Sequence, residues 1–150
     1  MIREDVSRNF GYLVTDVARL MRTVYDRRVR ELGLTRSQWW VMNQIFRNPG
    51  ATQSELAAIL EIERATLGRL LDRLEAKGWV KREDDARDRR AWRVRLTPSA
   101  EPVMRRLRKH AAELRRDALA GLSKAEHERF VDALLGIKAN LSRMQRNGAP

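Results

Sequence analysis

Apolar residues Val6, Phe10, Leu13, Val14, Val17, Leu20, Met21 and Val24 recur at steps of three and four, which predicts a long amphipathic helix over roughly residues 5–31. Gly33 marks its end, and Thr35 with Gln38 reads as a capping box opening a second helix through Trp39, Trp40, Val41, Ile45 and Phe46. Asn48-Pro49-Gly50 stops that helix. Thr52 with Glu55 repeats the capping-box pattern before a short helix, TQSELAAIL, with Leu56, Ala57 and Leu60 inward. A break at Glu61-Ile62-Glu63 leads to RATLGRLLDRLEAK, whose buried stripe is Leu67, Leu70, Leu71 and Leu74, and Gly78 supplies the left-handed residue after its end.

The period then changes from helical to two. Trp79–Arg82 and Trp92–Leu96 read as two short strands flanking the loop DDARDRRA, a β-hairpin with a long tip. Thr97-Pro98 restarts helix, with threonine as cap and proline in the first turn. Ala100, Val103, Met104, Leu107, Ala111, Leu114 and Ala118 form a heptad-like stripe ended by Gly121. Ser123 and Glu126 cap a last helix carrying Phe130, Leu134, Ile137, Leu141 and Met144, and the tail RNGAP is expected to fray. There is no internal repeat or low-complexity segment.

A short helix, a tight turn, a second helix and then directly a hairpin is the order of a winged helix-turn-helix, in which 52–60 braces 63–77 and the latter enters the major groove. Removing the leucine stripe from that second helix leaves Arg64, Ala65, Thr66, Gly68, Arg69, Asp72 and Arg73 facing outward. The early part of this face is short or basic, so the backbone can approach a partner closely. Arg69 suits a bidentate contact to guanine, Thr66 a phosphate or a thymine methyl, and Arg73 a phosphate. The hairpin tip mixes acids with bases because a flexible arginine loses side-chain entropy of about 1–2 kcal/mol on binding, and a neighbouring carboxylate that fixes it beforehand reduces that loss. Asp88, with Asp85 as a second candidate, is expected to hold Arg90 and the loop in shape, while Arg87 or Arg89 faces the narrow minor groove.

Charge sharpens this picture. The 150 residues carry 31 Lys+Arg against 20 Asp+Glu, a formal net charge of +11, which favours a polyanionic partner. The stretch 63–95, with 11 bases and 7 acids, is the most basic per residue. The run Arg105, Arg106, Arg108, Lys109, Arg115, Arg116 reads as a solvated helix face, with contact to phosphates as the alternative. No stretch is apolar for long enough to span a membrane, and MIREDVSRNF lacks the apolar region of a secretory signal, so the expected compartment is the cytoplasm. With no cysteine and two separated histidines, His110 and His127, the sequence offers no convergent set for acid–base, nucleophilic or thiolate–metal chemistry, so neither an enzyme nor a metal site nor a cofactor is expected.

TQSELAAIL, TLGRLLDRLEAKGWVKR and the pattern D-x-x-D-R-R-x-x-x-V-x-L-T resemble the DNA-binding core of the MarR family of transcription regulators, most closely its SlyA-like branch. The run from Leu67 to Thr97 carries most of the specificity, and the flanking helices extend the likeness over nearly the whole chain. The resemblance implies a mainly α fold with a small β-hairpin wing. A winged helix-turn-helix domain would occupy 35–97, and 1–34 with 98–150 would form a helical dimerisation region. It implies a homodimer on palindromic double-stranded DNA, in which Arg69, Ala65 and Thr66 read the major groove. Arg87 and Arg89 become wing-tip candidates, and Asp88 with Arg90 matches a structural Asp-Arg pair. It also implies a repressor or anti-silencer released by a small aromatic or phenolic ligand, for which Trp39 or Trp40, with Tyr12 and Arg19, are the candidate contacts; one of the two tryptophans should be core. A chain without cysteine cannot sense peroxide through a thiol, and the isolated histidines argue against zinc sensing. The alternative is a ligand-independent architectural DNA-binding protein of low sequence specificity.

Overall fold

The computed structural model describes residues 6–88 and 90–148. They divide into two compact units whose boundary lies between Leu114 and Arg115. In the first unit, a 3-10 turn at Val6–Arg8 precedes helix α1, Phe10–Val29, so the expected continuous helix from residue 5 is interrupted. Asn9 causes the break. Its side chain accepts from the Gly11 and Tyr12 amides, an N-cap that needs non-helical backbone at residue 9. A 3-10 turn at Arg30–Leu32 and left-handed Gly33 (φ 65°) close α1.

Helices α2, Arg36–Arg47, and α3, Gln53–Leu60, both open with complete capping boxes, Thr35 with Gln38 and Thr52 with Glu55. These are local four-residue patterns, and they form where the spacing predicts. Between α3 and α4, Arg64–Ala76, the tight turn places Glu61 at φ 54°, a left-handed conformation uncommon for a residue with a β-carbon. At the far end of α4 the Gly78 amide donates to Glu75 O and Trp79 N to Leu74 O, and Gly78 at φ 71° turns the chain into the hairpin. The hairpin is longer than its apolar pattern suggested: β1 is Val80–Asp84 and β2 is Trp92–Leu96, antiparallel, in register from Val80 opposite Leu96 to Asp84 opposite Trp92.

Thr97 departs from expectation. Its hydroxyl donates to Gly78 O at 2.5 Å instead of capping a helix, so it pins the exit of β2 to the entry of β1. Pro98–Ala100 therefore forms a 3-10 turn, and helix α5 runs from Glu101 to Ala118. Met42, Leu56, Leu67, Leu71, Leu74, Val94, Met104 and Leu107 are fully buried in one core. That core therefore joins α5 and, through Tyr25 and Val29, the end of α1 to the helix-turn-helix. The N-terminal half of α1 contributes nothing to it: Phe10, Tyr12, Leu13, Val14, Val17 and Leu20 are exposed.

The second unit comprises the end of α5, a turn through left-handed Gly121, and helix α6, Lys124–Asn147, opened by the Ser123–Glu126 capping box. Arg146 and Asn147, expected to fray, are helical; residues 149 and 150 lie outside the described residues. No residue of α6 is buried, although Phe130, Leu134, Ile137, Leu141 and Met144 form a stripe along it.

Candidate nucleic-acid interface

Helix α4 buries Leu67, Leu71 and Leu74 and turns Arg64, Ala65, Arg69, Asp72 and Arg73 to solvent. Thr66 is half-buried, and its hydroxyl accepts a hydrogen bond from Arg69 Nη2 at 3.2 Å. The two residues read from sequence as base and phosphate contacts are thus brought together one turn apart. Arg64, Arg69 and Arg73 are exposed and have no carboxylate partner among the described residues.

The hairpin is held against α4 by an arginine that sequence inspection passed over. Arg82 on β1 donates from Nη2 to Asp72 Oδ1 and to Glu75 Oε2, both at 2.5 Å, and from Nε to Glu75 Oε2 at 3.1 Å. Its backbone amide also donates to Glu75 Oε1 at 2.9 Å. Glu75, then Asp72, hold this guanidinium above its ordinary pKa against the opposing effect of partial burial. Sequence spacing gives no sign of the clamp, because it depends on where the hairpin folds back.

A second arginine fastens the other strand. Arg93 on β2 pairs with Asp85 Oδ2 at 2.6 Å and donates from Nη1 to Gly50 O. Thr52 pairs with Arg93 as a single β-bridge, and Val94 N donates to Ala51 O at 3.1 Å, so the segment leading into α3 is tied to the edge of β2.

The tip is organised by its acids, though with different partners from those the sequence suggested. Asp85, only 5% exposed, accepts from the backbone amides of Arg87 (2.6 Å) and Asp88 (3.3 Å). Asp88 accepts from the Arg90 backbone amide at 2.9 Å, and its own carbonyl accepts from Ala91 N. The ion pair is therefore Asp85–Arg93, and Asp88 orders Arg90 through the main chain, the Asx-turn use of an aspartate. The Arg87 and Arg90 side chains are exposed and without an ion-pair partner among the described residues; Arg89 lies outside them.

The Arg87 amide first, then the Asp88 amide and Arg93, pull the Asp85 pKa below the ordinary aspartate value, with desolvation opposing. A lowered folded-state pKa means that the contribution is complete above the ordinary value and is lost as pH falls through the lowered one, so the tip should loosen below about pH 4. Protection of the Arg87 and Asp88 amides against hydrogen exchange, taken relative to the unprotected rate at each pH, should fall in that range, and Asp85→Asn should flatten the response. An unchanged acid profile in the variant would remove Asp85 from this role.

The candidate ligand residues lie on α1 and α2. Trp39 is core: buried, edge-on to Tyr25 at 4.6 Å, with Nε1 donating to Asp26 at 2.7 Å. Trp40 is 40% exposed and lies edge-on to Trp39 at 5.6 Å. Tyr12 and Arg19 are exposed on α1, Arg19 pairing with Asp16 at 3.2 Å. Cavities of about 580, 450 and 310 Å³ border the hairpin, and none of the three is lined by these four residues. His110 is less isolated than its sequence neighbours suggest, with Nε2 3.3 Å from Glu31 and Nδ1 3.5 Å from Glu113. In the basic run, Arg106 pairs with Glu31 at 2.6 Å and Arg108 with Glu101 at 2.6 Å. Among the described residues no group of acids and histidines could hold a metal ion, and no helix is long and apolar enough to cross a membrane.

Residues 32–91 match the model of the MarR family. Among solved structures, the chain is 39% identical to the transcriptional regulator PA3341, with 90% of this chain and 99% of that one covered and a TM-score of 0.79. It is 27% identical to the transcriptional regulator SlyA, with 97% and 100% covered and a TM-score of 0.75. It is 25% identical to the PcaV transcriptional regulator from Streptomyces coelicolor, solved in complex with its natural ligand, with 93% and 98% covered and a TM-score of 0.71.

Proposed function

The chain belongs to the MarR family of transcriptional regulators, and from that membership we propose a cytoplasmic homodimer that binds palindromic operator DNA and represses, or relieves silencing of, the promoter it covers. The observation that carries this reading is the pairing pattern of the arginines. Those that build the hairpin, Arg82 and Arg93, are tied to carboxylates. Those on the outward face of α4 and at the tip, Arg64, Arg69, Arg73, Arg87 and Arg90, are exposed and offer their donors to an outside partner. In a twofold dimer of 1–34 and 98–150 helices, two α4 helices about 34 Å apart would enter successive major grooves.

The net charge of +11 favours a second reading, architectural binding with little base discrimination. Binding to selected palindromes and to random duplex at one salt concentration separates the two: a regulator should prefer its site by about a thousandfold or more. A ratio near one would overturn operator recognition. In the first case Arg69→Ala should relax discrimination by about 1–3 kcal/mol at one base pair per half-site. A loss spread equally over all sequences would remove Arg69 from base reading.

Release by a small aromatic or phenolic ligand is part of the same proposal. Tyr12, Arg19 and the exposed ring of Trp40 are the contacts retained for it, and Trp39, whose nitrogen and ring are both committed inside the core, supports Trp40 from behind.

A further inference from the structure

The face of β2 that carries Val94 into the core continues outward to Trp92, two residues nearer the tip. Val94 is completely buried, while Trp92 is 49% exposed. Its indole overhangs a notch of about 450 Å³ lined by Gln53, Glu75, Arg82 and Trp92 itself. Three elements meet there. Gln53 opens α3, and a β-carbon built on Gly68 of α4 would meet its amide nitrogen at 3.5 Å, so the start of α3 lies against the middle of α4. Glu75 comes from α4 and Arg82 from β1.

We infer that Trp92 is a DNA-contacting residue that seats its indole on the deoxyribose backbone between the two grooves. The inference rests on the operator-binding reading above. With α4 in the major groove and the hairpin tip in the minor groove, the surface between them faces the sugar-phosphate strand that separates the grooves. Charge decides which part of that strand it meets. Asp72, Glu75 and Arg82 together leave one net negative charge beside the notch, which disfavours a phosphate. The uncharged indole face suits the apolar edge of a sugar. Trp92 leaves half of a large aromatic side chain in water, and stacking it on the backbone would remove that apolar surface from solvent.

The test compares Trp92→Ala and Trp92→Phe with the unaltered protein on a selected palindrome and on random duplex, each across a salt series. Because every nucleotide has a sugar, Trp92→Ala should weaken binding to both duplexes alike, by about tenfold. The slope of log affinity against log salt should stay unchanged, since no phosphate contact is lost. Trp92→Phe should recover most of the loss, and both variants should melt as the unaltered protein does. Unchanged affinity in Trp92→Ala would overturn the inference, and so would a loss accompanied by a shallower salt slope. Operator recognition fails separately, by equal affinity of the unaltered protein for palindrome and random duplex.

Discussion

Replacing Arg82 with methionine is expected to lower stability by about 1.5–3 kcal/mol, the range for hydrogen bonds to charged groups. Methionine keeps the length of the side chain and its packing but supplies no donor. Glu75 would lose both the Nε and Nη2 bonds, while Asp72 would lose one at 2.5 Å. Asp72 is 62% exposed, so water compensates much of its loss, and most of the effect belongs to Glu75. The functional cost should exceed the cost in stability. Among the described residues Arg82 is the direct ionic link between the hairpin and α4, and without it the tip and the α4 face should no longer be presented as one rigid surface. Affinity for a selected palindrome should fall more than tenfold at a temperature where the variant remains folded. Denaturant titration and duplex binding measure the two effects separately. Glu75→Gln should reproduce most of both and Asp72→Asn little of either. Full affinity in Arg82→Met would show that the hairpin is positioned by Arg93 and the core alone.

The parts of this molecule that could be read from sequence share one property: their causes lie within a few residues. The three capping boxes at Thr35, Thr52 and Ser123 formed as spaced, because a cap is completed by the residue three positions on. The leucine stripe of α4 fixed its outward face in the same way. What escaped depended on register. Asp85 rather than Asp88 takes the ion pair because it follows directly on Asp84, the last paired residue of β1, which brings it back over Arg93. The Thr97 hydroxyl is drawn from its expected cap because hairpin closure brings the Gly78 carbonyl, 19 residues earlier, within 2.5 Å. His110 meets Glu31 across 79 residues, a pairing no local pattern announces. The outward face of α4 was legible for the converse reason: exposure follows from the leucine stripe and needs no distant partner to define it.

Placing glutamate at Leu134 and Leu141 together should convert the protein to a monomer at micromolar concentration and reduce operator affinity about a hundredfold to ten-thousandfold. Phe130, Leu134, Ile137, Leu141 and Met144 follow one another at steps of four, three, four and three, the spacing of a coiled-coil seam, and all five are exposed in the single chain. On α1, Phe10, Leu13, Val17 and Leu20 follow one another at steps of three, four and three and are equally exposed. Two such seams on one chain are hard to reconcile with a monomer, since covering each large apolar side chain is worth about 1.5–3 kcal/mol. A carboxylate buried in such a seam without a partner would cost more than the leucine had contributed. In the proposed dimer, operator affinity would depend on the assembly because the second half-site would be bound at the high effective concentration set by the first. Lys138→Glu, off the stripe, serves as the charge control and should leave assembly unchanged. Sedimentation gives the oligomeric state and circular dichroism confirms that α6 stays helical. A double variant that still sediments as a dimer with full affinity would show that α6 is not part of the interface. An unaltered protein that sediments as a monomer while binding palindromes tightly would refute the dimer itself, leaving α4 and the hairpin to carry recognition alone.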